Sequence, residues 1–160
     1  VVVEVYIVRD GKVLLQQRNL NSRRFPSYWT GPGGHVDEGE DALTAAIREV
    51  KEETAVSIKA TDISLKAVAI HHHLDLSEVY LCFVFLASIP SEQEIISDLD
   101  EGRAEWVDLR RLETLDKVFP PAKYYFEHVL NDKPGILYTN IQWENSQLVK
   151  IMSQRVDGDK

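Results

Sequence analysis

Short apolar runs with the spacing of strands alternate along this 160-residue chain with two stretches of helical spacing. Val2 to Val8 and Lys12 to Arg18 read as two strands around Asp10-Gly11, the strongest hairpin signal in the chain. Asn19 to Ser27 is a polar loop. From Asp41, a capping residue, the period changes: in a helix over Ala42 to Thr54, Leu43, Ile47 and Val50 fall on one side and can bury against a sheet, while Ala42, Ala45 and Ala46 leave room on or beside the other. Ile63 to His71 and Val79 to Ser88 read as longer strands joined through Leu74 to Ser77, and Ala104 to Asp108 as a short one. Pro120-Pro121 opens a second helix running to about Leu130, and Asn131 to Gly135 stops it. Gly135 to Trp143 adds a strand, and the polar residues 146–160 read as a frayed end. Strands alternating with two helices, without repeat or linker, predict one α/β domain over 1–145 with a mixed sheet between helices.

The first helix carries the candidate chemistry. At ~100° per residue, Glu49, Glu52 and Glu53 share an arc of roughly 100°. Like charges so placed repel by a few tenths of a kcal/mol per pair, so the pattern means either a solvated acidic face or a bound cation. All-oxygen ligands with no cysteine or histidine nearby suit a hard divalent ion, Mg²⁺ or Mn²⁺, bound together with substrate phosphates. Three histidines, His71 to His73, cannot close on one zinc ion, because successive strand side chains point to opposite faces.

Charge narrows the partners. A net charge of −8 and a pI near 5.1 argue against general nucleic-acid binding, but not against a small phosphorylated substrate that arrives with its metal. No run approaches the ~18 apolar residues of a membrane span, and the N-terminus lacks a signal-peptide layout, so a cytoplasmic enzyme is expected. The single cysteine, Cys82, lies in an apolar run and reads as buried filler. P-loop, nucleophile-elbow and paired-cysteine patterns are missing.

Gly34, Glu40, Arg48, Glu49, Val50, Glu52, Glu53 and Val56 resemble the signature of the Nudix hydrolase superfamily, Gly-x5-Glu-x7-Arg-Glu-apolar-x-Glu-Glu-x-Gly-apolar; Ala55 stands where the family has glycine. The resemblance implies a Nudix-type α/β/α sandwich and a metal-dependent pyrophosphohydrolase acting on a nucleoside diphosphate linked to X. It implies Mg²⁺ (or Mn²⁺) held by Glu49, Glu52, Glu53 and the carbonyl of Gly34, with Glu49 as first choice of general base and Glu101 or Glu53 otherwise. Arg48 would orient the glutamates. Arg18 stands where MutT-type members carry a basic residue that meets phosphate, or is a surface arginine of the hairpin. Phe119-Pro120-Pro121-Ala122 is also similar to MutT-type members, but Lys123 replaces the asparagine that reads the base. The expected substrate is a nucleoside triphosphate, an 8-oxo-dGTP-like one included, cleaved to monophosphate and pyrophosphate. RNA 5′-pyrophosphohydrolysis and a catalytically silent nucleotide-binding module are the alternatives, and a homodimer is compatible with either.

Overall fold

The computed structural model describes residues 1–22, 24–89, 93–96 and 102–156. β1 (Val2–Arg9) and β2 (Lys12–Arg18) form the expected hairpin. Asp10 and Gly11 both take positive φ, 49° and 72°, as a two-residue turn matched to strand twist requires. β3 (Trp29–Thr30), β4 (Ile63–His73), β5 (Glu78–Ser88), β6 (Gly102–Asp108), β7 (Ile136–Glu144) and β8 (Gln147–Val156) complete a mixed sheet. Its order is β3-β2-β1-β5-β4-β7-β8, with β6 also paired to β2. β1 runs parallel to β5 and β4 parallel to β7; the other pairs are antiparallel.

The helices α1 (Ala42–Thr54) and α2 (Ala122–Leu130) cover opposite faces, as the alternation along β1 shows. Val3, Val5 and Ile7 pack with Ala45, Ala46 and Val50 of α1, whereas Tyr6 packs with Ala122, Tyr125 and Val129 of α2. The result is the expected α/β/α sandwich. No helix among the described residues is long and apolar enough to cross a membrane.

Two expectations are corrected. In α1 the fully buried residues are Ala45, Ala46, Val50 and Thr54, while Leu43 and Ile47 are only partly buried. The small alanines let the helix axis approach the sheet, and that rotates the carboxylate side toward the interior instead of leaving it opposite the dry face. At the C-terminus, the segment read as frayed forms β8, paired along its length with β7. Asn145 and Ser146, at φ 50° and 60°, make a two-residue turn that returns the chain; backbone pairing holds a strand whose side chains are mostly exposed.

Candidate active site

The site is built where the chain after β3 runs between β1 and α1. Val5 N–H donates to the Pro32 carbonyl at 2.8 Å and Val3 N–H to the Gly34 carbonyl at 2.9 Å. A Cβ on Gly33 would stand 2.1 Å from the Val3 carbonyl oxygen, and one on Gly34 would stand 2.5 Å from Glu49 Oε1. Only glycine lets this strip lie so close to both elements. Gly33 N–H donates to Glu53 Oε2 at 2.8 Å, and Gln16, with its amide nitrogen turned to the same carboxylate, donates at 2.7 and 3.2 Å. Glu53 is thereby held while only 7% exposed.

Arg48 organises the other carboxylates. Its guanidinium donates to Glu40 at 2.8 and 3.1 Å, to Glu49 Oε1 at 2.9 Å, to Glu52 Oε2 at 3.2 Å and to the His35 carbonyl at 3.0 Å. The bond from Arg48 holds the Glu40 carboxyl below its ordinary range, and the glutamates in turn push the guanidinium upward. Asp41 caps α1 by accepting from the N–H groups of Leu43 and Thr44, both at 2.9 Å.

A cavity of about 720 Å³ extends from Glu49 and Glu53 at one end to Phe25, His71, Phe119 and Trp143 at the other. The second end is a nest of flat rings. Phe25 lies 5.0 Å from Phe119 and 5.1 Å from Trp143 between ring centres; Trp143 is near-parallel to His71, at 9°, and to His73, at 6°. Trp143 Nε1–H donates to His71 Nδ1 at 3.1 Å. That bond assigns the remaining proton of a neutral His71 to Nε2. Burial, followed by the neighbouring His73 and His72, pushes His71 down to about 4. His72 points to the other face of the strand, where Nε2 meets Asn140 Nδ2 at 3.1 Å. Arg24 is anchored by Glu78 at 2.6 Å, with its guanidinium over Tyr80.

A NUDIX domain model matches residues 1–129. The chain belongs to the NUDIX family. It is similar to the MutT protein of Bacillus halodurans, whose crystal structure superposes with a TM-score of 0.81 at 26% identity, covering 95% of each chain. It is 28% identical over 142 residues to the dihydroneopterin triphosphate diphosphatase of Escherichia coli, covering 82% of this chain and 91% of that protein. It is 37% identical over 117 residues to the m7GpppN-mRNA hydrolase NUDT17 of Danio rerio, where the match covers 61% of this chain and 37% of that protein. The chain thus spans well under half of that relative. Membership of the NUDIX family and a MutT-like fold are therefore established.

Within this NUDIX domain, Gly34, Glu49, Glu53 and Arg18 come together on the cavity wall. Glu52 does not line the cavity: its side chain is 60% exposed and tied to Arg48. The Gly34 carbonyl, expected on a metal, already accepts from Val3 N–H and has its second lone pair to offer. Lys123, expected at the substrate, is placed elsewhere. It is exposed and does not line the cavity, because α2 buries Ala122, Tyr125, His128 and Val129, and position 123 falls off that face. Glu101 and Arg23 lie outside the described residues. Among the described residues no three carboxylate, histidine or cysteine side chains are grouped as a ready cage; the guanidinium of Arg48 stands among the box glutamates. The donor chemistry still fits a hard ion, since Glu49 and Glu53 are oxygen ligands one turn apart, both facing the cavity.

Sequence reasoning missed Glu4, which lies on the cavity wall and is 6% exposed. The signal was present: one acidic residue inside the apolar run Val1 to Val8. The ring nest was also missed, and no local pattern announces it.

Proposed function

We propose that this NUDIX hydrolase cleaves a nucleoside triphosphate to the monophosphate and pyrophosphate with Mg²⁺ or Mn²⁺. The observation that carries the reading is one continuous cavity with carboxylates at one end and stacked rings at the other, a division that suits a phosphate chain joined to a flat base. Glu49 and Glu53 would hold the ion, helped by Glu52 and the Gly34 carbonyl. When bound, such an ion offsets phosphate charge and lowers the pKa of a water. Arg48 keeps the glutamates oriented through the contacts described above, and Arg18, at the end of β2 on the cavity wall, would meet the phosphates. The proton of the attacking water would pass to a carboxylate, Glu49 in first place.

The test is a panel of nucleoside triphosphates, dihydroneopterin triphosphate, capped RNA and 5′-triphosphorylated RNA with Mg²⁺ or Mn²⁺, scored for phosphate and pyrophosphate release. Pyrophosphate from a nucleoside triphosphate is expected, at a kcat/KM at least ten times that for either RNA. Faster turnover of RNA ends would move the assignment to RNA 5′-pyrophosphohydrolysis. Binding without turnover under any metal would make the chain a nucleotide-binding module.

A further inference from the structure

Glu4 poses a physical problem. It projects from β1 into the α2 face of the sheet, where an apolar side chain would serve packing better, and burying a carboxylate is costly unless it is well paired. Its partners are all neutral donors. Oε1 accepts from the Tyr6 hydroxyl at 2.5 Å, from Thr30 Oγ1 at 2.6 Å and from Gly31 N–H at 3.1 Å; Oε2 accepts from the Tyr125 hydroxyl at 2.6 Å. Oε1 is saturated by three donors, whereas Oε2 has one and retains acceptor capacity. The residue lies on the wall of the same cavity, next to the glycine strip through its bond to Gly31.

We infer that Glu4 reads the donor edge of the substrate ring, accepting an N–H through Oε2, and that it selects a 2-amino-4-oxopyrimidine edge, the edge shared by guanine and pterins. That edge presents an exocyclic amino group beside a ring N–H, two donors side by side, which a carboxylate meets without repulsion. Adenine and cytosine place an unprotonated ring nitrogen beside the amino group, and its lone pair opposes the carboxylate. Four hydrogen bonds from three segments, β1 itself, the end of β3 with the following Gly31, and α2, fix the carboxylate, so it reads from a preorganised position. This inference rests on the proposed function and specifies the ring that the site takes.

GTP and ITP differ only by the 2-amino group, and the pair tests the reading in hydrolysis with Mg²⁺. Calorimetric titration of GMP against IMP, and of pterin against lumazine, tests it in binding alone. A hydrogen bond to a buried charge predicts a preference of roughly 10- to 100-fold for the amino-bearing member of each pair. In Glu4→Gln, the amide oxygen must stay with Tyr6, Thr30 and Gly31, which turns an NH₂ group toward the ring where an acceptor stood. The preference should then fall to about one or reverse. An unchanged GTP to ITP ratio in a folded Glu4→Gln would make Glu4 purely structural and overturn the inference. Should that variant fail to fold, the wild-type pairs still decide, because ratios within about twofold in hydrolysis and binding would overturn it equally. If no triphosphate is hydrolysed yet GMP outbinds IMP, the proposed reaction fails and the reading of Glu4 stands. Comparing the purine with the pteridine pair identifies which ring the site was built for.

Discussion

Ala55 closes α1 in the left-handed region, at φ 61° and ψ 1°, with its N–H donating to the Lys51 carbonyl at 2.9 Å. That conformation costs an alanine about 1 kcal/mol relative to glycine, because its Cβ crowds the following carbonyl. The side chain is exposed, so no packing offsets the cost. Ala55→Gly should therefore raise Tm by about 2–4 °C in a chain of this size, read by calorimetry or circular dichroism at pH 7. A lower Tm would mean that loss of the alanine methyl in the unfolded chain outweighs relief of the strain. This much was legible in the sequence, because a glycine missing from an otherwise complete box marks a position that needs positive φ. Glu4 was equally visible as a lone acid in an apolar strand, but its partners Thr30 and Tyr125 are 26 and 121 residues away, and only the fold brings them together.

Helix α1 shows what residue spacing conveys and what it omits. The angular argument puts three glutamates on one face, and the helix forms where its capping residue predicts, yet packing on the sheet gives the three unequal roles. Glu53 is buried against Gly33, Glu49 lies under the Gly34 backbone, and Glu52 remains in solvent against Arg48. A charge removed from a fixed, buried ligand costs more than one removed from a mobile surface side chain. Glu53→Gln keeps the shape and an oxygen for Gly33 N–H. It should cost roughly 10- to 100-fold in kcat at fixed low Mg²⁺, part of it recovered at high Mg²⁺. Glu52→Gln should cost only a few fold. Metal titrations of rate for both variants check this order. Equal losses would show that the ion draws Glu52 inward on binding, and near-normal turnover of Glu53→Gln would remove the acidic end of the cavity from the mechanism.

The ring end of the cavity belongs to the whole molecule. Phe25 comes from the loop after β2, His71 and His73 from β4, Phe119 from the approach to α2, and Trp143 from β7, beyond the stretch that the NUDIX domain model matches. No window of sequence contains this assembly, so periodicity and motif could not reveal it. Its stability should nevertheless be readable from outside through pH. His71 titrates near 6.5 when unfolded and near 4 in the fold, where burial opposes its charge and Nδ1 is engaged by Trp143; burial lowers His73 in the same direction. Between these values the unfolded chain binds more protons than the native one, so stability must rise with pH and be lost as pH falls through that window. From pH 6.5 to 5, His71 alone should withdraw up to about 2 kcal/mol. Glu40 and Asp41, whose native values are lowered by Arg48 and by Thr44, lose their contributions only as pH drops below about 4.5, and so stay out of this interval. His71→Gln can still accept from Trp143 Nε1 but cannot take up a proton near neutrality. Urea unfolding of the wild type and this variant at pH 6.5, 5.75 and 5 should show a steep loss in the first and a shallow one in the second. Parallel slopes would mean that acid enters the fold elsewhere, and that the ring end accepts a charged histidine without opening.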